Sequence, residues 1–166
     1  MPSLRINKNL NDQIYFLTFT VKNWYYFFDR HNRWKILEQS LMYWKKYKNL
    51  KIFHYVFMLN HMHLLISSPD VDGFVRYFKG FTSQEFHKNI QKTEPTILRI
   101  FQDIKGKYQF WKKTNMPILI ETDSVCQQKA EYIEYNPVKK NYVSKLEYWI
   151  YSSANPKSSI MIDYIE

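Results

Sequence analysis

The sequence predicts an α+β domain: a ferredoxin-like split β-α-β sandwich with an antiparallel sheet and an additional C-terminal helix that carries Tyr132. Three observations lead there. Residues 14–21 alternate strictly, with Tyr15, Leu17, Phe19 and Val21 on one face and Ile14, Phe16, Thr18 and Thr20 on the other, the period of a strand. Two further apolar extended runs, Lys51–Leu59 and the one beginning at His61, are separated by Asn60 alone. So short a connection permits only an antiparallel hairpin. One stretch after the first strand and one after the hairpin repeat apolar residues every three or four positions. The resulting order is strand, helix, strand, strand, helix, strand. Such a sheet carries its helices on one face and leaves the other available.

Taken in order, Asp29 is the expected cap of a helix over residues 30–48. There Trp34, Leu37, Leu41 and Trp44 turn inward while Lys35, Glu38, Lys45 and Lys46 face water. The strand Lys51–Leu59 is apolar on both faces apart from His54, which predicts a central place in the sheet and a structural part for that histidine. A second helix is expected over 71–88, with Val71, Phe74, Val75, Phe78 and Phe81 as its buried stripe. Arg76 and Lys79 lie off that stripe, free to meet phosphates. Thr93-Glu94-Pro95 opens a short helix to Lys105, with Ile97, Ile100, Phe101 and Ile104 apolar and Gly106 as its stop. Tyr108–Trp111 and Pro117–Glu121 read as extended. Ser124-x-x-Gln127 resembles a capping box. The helix it opens runs to about Tyr135, because the position before Pro137 disfavours further helix. Residues 1–154 read as a single domain and 155–166 as a loose C-terminal tail.

Lys and Arg number 24 against 15 Asp and Glu, a net charge of +9. An excess of this size fits a phosphate backbone or an anionic membrane surface. The charges are spread without a polybasic block, and no run approaches the ~18 apolar residues of a membrane helix. Nucleic acid is therefore the expected partner, and no membrane. The 14 Tyr, 12 Phe and 5 Trp exceed what a core needs, and surface rings can stack on unpaired bases. The N-terminal Met-Pro-Ser-Leu-Arg-Ile-Asn-Lys has no apolar signal core. A single Cys126 cannot form an internal disulfide, so the expected location is cytoplasmic.

Chemistry concentrates in two places. Within Phe57–Ile66, His61 and His63 are two residues apart on a strand and project from one face, while Met62, Leu64 and Ile66 point into the core. Two imidazoles on a rigid strand make half of a metal site. Farther on, Tyr132 and Asn136 are four residues apart and share a helix face if the last turn holds. Asn136 could add an amide oxygen as third ligand, a mixed nitrogen and oxygen set that suits Mg²⁺ or Mn²⁺. Tyr132 would then lie within reach as a phenolic nucleophile.

These pieces resemble the single-tyrosine HUH transposases, and most of all the REP-associated tyrosine transposases. The matching segments are Tyr15-Phe16-Leu17-Thr18-Phe19-Thr20, Phe57-Met58-Leu59-Asn60-His61-Met62-His63-Leu64-Leu65 and Phe78-Lys79-Gly80-Phe81-Thr82-Ser83. They continue with Glu131-Tyr132-Ile133-Glu134-Tyr135-Asn136-Pro137-Val138-Lys139 and Tyr148-Trp149-Ile150-Tyr151-Ser152-Ser153, in the family's order. The resemblance implies a metal-dependent strand transferase acting on single-stranded or hairpin DNA. In it His61, His63 and Asn136 match the ligand positions, and Tyr132 matches the nucleophile that forms a 5′-phosphotyrosine link and frees a 3′-hydroxyl. A homodimer stays open beside a monomer as the working unit.

Two features depart from the family pattern. Leu59 stands where proline commonly precedes the Asn-His pair, and the segment Asn89–Lys107 is longer than usual. Two rival readings are a non-catalytic nucleic-acid-binding domain of the same fold, and a hydrolytic metalloenzyme with zinc on His61 and His63. The second lacks an obvious third His, Cys or acidic ligand at local spacing and leaves Tyr132 without a task.

Overall fold

The computed structural model describes residues 11–166. The N-terminal stretch read above for a signal core lies outside them. Seven main elements follow one another: β1 (Tyr15–Thr20), α1 (Arg33–Lys48), β2 (Lys51–Phe57), β3 (His61–Ser67), α2 (Val71–Thr93), β4 (Ile118–Leu119) and α3 (Asp123–Lys139). The four strands form one sheet in the order β2-β3-β1-β4, each neighbouring pair antiparallel. This is the split β-α-β arrangement that the element order predicts. The β2–β3 hairpin closes with the Met58 amide donating to the His61 carbonyl, so Leu59 and Asn60 make the turn. Leu59, the departure from proline, offers its carbonyl to the amides of Phe27 and Phe28.

Strand alternation sorts the two faces. Tyr15, Leu17 and Phe19 of β1 and Met62, Leu64 and Ile66 of β3 join Phe74, Phe78, Leu37 and Trp44 in the larger core, against α1 and α2. Phe16, Phe53, Val56 and Leu65 point the other way and pack with Ile133 of α3. The sheet is therefore sandwiched, and the face opposite α1 and α2 is partly covered by the helix that brings Tyr132. Each fully buried phenylalanine removes enough apolar area to contribute on the order of 1.5–3 kcal/mol.

Several boundaries differ from the sequence expectation. Helix α1 starts at Arg33, with Asn32 in the left-handed region as its cap, not at Arg30 behind Asp29. Arg33 is fully buried: its guanidinium bonds the Phe27 carbonyl, Asn89 and Glu94, and anchoring it there ends the preceding loop. Helix α2 does begin behind Asp70, whose carboxylate accepts from the Gly73 amide, but continues to Thr93. Its buried stripe passes from Phe78 to Thr82, Phe86 and Ile90, four residues at a time, leaving Phe81 half exposed. The helix expected over 93–105 is a 3₁₀ turn over Pro95–Phe101 with Phe101 buried and Ile104 wholly exposed.

Strand β2 is an edge strand, not a central one. Its two apolar faces have a different cause: α3 covers one of them, and the C-terminal segment lies along the free edge. The Phe57 amide bonds the Tyr151 carbonyl, the Ser153 amide bonds Tyr55, and Asp163 takes the Ile52 amide on its carboxylate while donating its own amide to Ile52. Residues 155–163 are thus docked where a loose tail was expected, with Ile160 buried. Capping the edge this way satisfies main-chain groups that would otherwise pair with another strand. No helix of the described residues is long and apolar enough to cross a membrane.

Candidate active site

The site grows from the β2–β3 hairpin. His61 and His63 project from one face of β3, their ring centroids 5.0 Å apart. Pairing with β1 sets Thr18 opposite His63, and the Thr18 hydroxyl meets His63 Nδ1 at 2.9 Å. Phe16 stacks on the His63 ring at 5.3 Å. The turn residue Asn60 does the corresponding work for His61. Its amide nitrogen donates to the Trp24 carbonyl at 2.8 Å, which turns its oxygen toward His61 Nδ1, also at 2.8 Å. Only a protonated Nδ1 can bond that oxygen, so the His61 lone pair resides on Nε2. The Thr18 hydroxyl, which can donate or accept, engages His63 Nδ1 in either tautomer. Both rings are oriented through Nδ1 and leave Nε2 for chemistry.

Helix α3 supplies the other half. Thr122 caps it by accepting from the Val125 amide, in place of the expected Ser124. Ile133 and Asn136 are buried against the sheet, and a His54–Glu134 contact of 3.0 Å ties the helix to β2. This gives His54 the structural part expected of it. The helix also continues through Pro137 to Lys139, past its expected end at Tyr135. Burial of Asn136 and Pro137 outweighs the pre-proline bias. Continued helix keeps Tyr132 and Asn136 one turn apart on a shared face. The Tyr132 ring meets His63 edge-on at 5.1 Å and Phe16 at 5.9 Å, yet keeps 41% of its surface exposed. Among the described residues no comparable ring contact joins Tyr135 to either histidine.

Two cations stand close to the phenol. The ammonium groups of Lys129 and Lys139 stand 5.9 Å and 5.8 Å from the Tyr132 ring centroid. Burial, reinforced by the nearby Lys140, pulls His61 down to about 4. Burial again, with His61 and Lys129 adding to it, takes His63 down to about 3. Both imidazoles are therefore neutral near pH 7, the form that ligates metals. The lysines also make the surface attractive to a phosphate.

Two atoms of the expected donor set are left in a state that fits a bound cation. His63 Nε2 and Asn136 Oδ1 are buried and have no hydrogen-bond partner, an arrangement that costs free energy unless something binds there. An imidazole nitrogen and an amide oxygen are donors of the kind that Mg²⁺ or Mn²⁺ accepts, and the His61 ring, 5.0 Å from that of His63, offers a further nitrogen. Among the described residues no three His, Cys, Asp or Glu side chains gather as a metal set, so the zinc hydrolase reading has no third ligand of those types.

The two basic residues expected to meet phosphates are elsewhere. Arg76 and Lys79 belong to α2, across the sheet from the histidines. Arg76 is exposed with its guanidinium 5.3 Å from the Tyr77 ring. Lys79 is half-buried, and its amine donates to the carbonyls of Lys112 and Lys113 at 2.8 Å and 3.2 Å. Burial lowers its pKa to about 8. Sequence reasoning did not single out Thr18, Asn60, Lys129 or Lys139. Thr18 shares the outward face of β1 with Phe16, and Lys129 is one helical step from Tyr132, so both signals were present.

A family model described as transposase IS200-like matches residues 9–136. The chain belongs to this family. Its relatives include a Haemophilus influenzae protein assigned as a REP-associated tyrosine transposase, 30% identical over 97 residues, covering 57% of this chain and 53% of that protein. The chain thus spans about half the length of the curated relative it matches. A solved structure of a REP-associated tyrosine transposase bound to a REP hairpin superposes with a TM-score of 0.64. That match covers 92% of this chain and 82% of the other at 18% identity, and establishes a common fold. This IS200-like member carries both halves of its candidate site, the histidine strand and the tyrosine helix, within one chain.

Proposed function

We propose that this IS200-like transposase cuts and rejoins single-stranded or hairpin DNA through Tyr132, with Mg²⁺ or Mn²⁺ held by His61, His63 and Asn136. The observation that carries the reading is the pair of orphaned buried atoms, His63 Nε2 and Asn136 Oδ1, with the exposed Tyr132 ring edge-on to His63 and one helical turn from Asn136. Membership of the family and the hairpin-bound structural neighbour support the substrate class.

The residues divide the work as follows. Lys129 and Lys139 attract a backbone phosphate to the phenol and balance its charge. A divalent ion, when bound, supplies Lewis-acid stabilisation of the charge that develops on the phosphate. The Tyr132 oxygen forms a bond to phosphorus and the P–O3′ bond breaks. The proton lost by the phenol is matched by the one gained at the freed 3′-hydroxyl. The resulting 5′-phosphotyrosine retains the energy of a phosphodiester, so attack by a 3′-hydroxyl reverses the step and rejoins the strand. Thr18 and Asn60 act through the imidazoles as positioning residues.

The test is incubation of the protein with a hairpin oligonucleotide carrying single-stranded flanks, followed by denaturing electrophoresis. The reading expects a covalent protein–DNA species that forms with Mg²⁺ or Mn²⁺ and disappears with a chelator. Hairpin binding with no covalent species under any metal condition would favour the non-catalytic binding domain.

A further inference from the structure

One exposed indole next to the site is held in a backbone conformation that bulky residues avoid. Trp24 has φ +56°, and its neighbour Asn23 has φ +59°. Left-handed backbone is unfavourable for a large L side chain and persists only where surrounding contacts enforce it. Here they do. The Trp24 amide bonds the Val21 carbonyl, its own carbonyl accepts from the Asn60 amide nitrogen, and Lys22 is fastened to the Phe110 carbonyl. Asn60 is the residue that orients His61, so the Trp24 backbone is one side chain away from a proposed ligand.

The conformation leaves most of the indole in solvent. The indole is 58% exposed, and Tyr26 beside it is 57% exposed. Beneath the ring lies a placed cation: Lys112 Nζ is 3.8 Å from the indole centroid. The Lys112 backbone is held by the Thr20 carbonyl, and its carbonyl accepts from the amine of the half-buried Lys79. The backbone of this loop holds Asn60, but the exposed indole and the Lys112 ammonium against it make no further contact that the fold requires.

We infer that Trp24 is a stacking platform for an unpaired base of the DNA strand entering the site, with Lys112 beside it to meet the adjoining phosphate. Indole offers a broad π-face to any base, and base–aromatic stacking is a main source of single-strand affinity. The cation held against one face of the ring adds charge beside the base it would stack. Asn60 links the platform to His61, so the flanking base and the reacting phosphate are placed by one residue. The inference rests on the DNA-processing function proposed above.

The experiment compares two hairpins of the same stem, one blunt and one with a single-stranded flank, against wild type, Trp24→Phe and Trp24→Gly. Glycine accepts positive φ without strain, so Trp24→Gly should melt no lower than wild type. It should bind the flanked hairpin about tenfold more weakly, within the range expected for one lost stack, while affinity for the blunt hairpin stays unchanged. Trp24→Phe should retain part of the difference. A 2-aminopurine placed in the flank should be quenched by wild type and not by Trp24→Gly. If wild type prefers the flanked hairpin and Trp24→Gly does so equally, or if 2-aminopurine responds alike to both proteins, the platform is wrong while the function stands. If wild type binds neither hairpin, the DNA-processing function fails and the platform with it.

Discussion

Replacing Asn136 by leucine should make the metal-free protein more stable and the metal-loaded protein less so. Asn136 is 4% exposed and its Oδ1 has no donor within reach. A buried acceptor left in this state costs about 1–3 kcal/mol. Leucine has nearly the same shape, carries no polar atom, and is a better helix former by a few tenths of a kcal/mol. Allowing for lost hydration of the amide nitrogen, Asn136→Leu should gain about 1–2 kcal/mol in EDTA. For a domain of this size each kcal/mol moves the melting temperature by about 2–4 °C, so the variant should melt about 2–8 °C higher. Mn²⁺ at a hundred times its dissociation constant stabilises a folded protein by about 2.7 kcal/mol, about 5–11 °C here. The variant, lacking one ligand, should gain far less. The assay is thermal unfolding followed by circular dichroism in EDTA and in Mn²⁺. Reversal of the stability order between the two conditions is the expected result. A variant that melts below wild type in EDTA, or that Mn²⁺ raises as much as wild type, would refute the reasoning.

Other consequences can be checked in the same preparations. His54→Ala removes the partner of Glu134, an interaction about three-quarters shielded from solvent. It should cost about 1 kcal/mol, seen as a melting temperature lower by about 2–4 °C, and should slow adduct formation more than it weakens hairpin binding. Glu94 responds to acid: burial raises its pKa, but the hydrogen bond and charge of Arg33, with Arg30 and His31, outweigh that and hold it below its ordinary 4.5. A depressed carboxylate contributes stability that is present above about pH 4.5 and lost as pH falls through the folded value. Glu94→Gln should therefore flatten the acid side of the stability–pH curve, measured by urea unfolding between about pH 3 and 6.

The arrangement of the candidate site was largely legible because it depends on short-range periodicity. The spacing of His61 and His63 on a strand, and of Tyr132 and Asn136 on a helix, fixes which side chains share a face before any tertiary contact is known. The β1 alternation and the short link around Asn60 likewise determine the antiparallel pairing of β2 and β3, although β2 ends at Phe57 and the turn takes in Leu59 as well as Asn60. What stayed hidden depends on contacts distant in sequence. Strand β2 reads as central from its apolar faces, because nothing local announces that residues 151–163 return to cover its edge. Phe81 reads as core from its chemistry. Thr82 takes that place because its hydroxyl can donate to the Phe78 carbonyl and accept from the Trp111 indole. Helix α3 passes Pro137 because burial there is a tertiary effect that no propensity reports. Trp24 shows the same limit from the other direction, since its strain is set by Asn60, 36 residues away.

The central claim is that Tyr132, not its neighbour Tyr135, carries the chemistry. Tyr132 lies against His63 with two ammonium groups near its ring, whereas Tyr135 is turned about 100° away from Asn136 on the helix. The direct measurement is peptide mapping by mass spectrometry of the covalent species formed with a flanked hairpin and Mn²⁺, with Tyr132→Phe and Tyr135→Phe run beside wild type. The account predicts a 5′-phosphonucleotide on Tyr132, no covalent species from Tyr132→Phe although it still binds the hairpin, and a normal yield from Tyr135→Phe. A phosphonucleotide on Tyr135 or any other residue, or a Tyr132→Phe variant that still becomes linked to DNA, would contradict it.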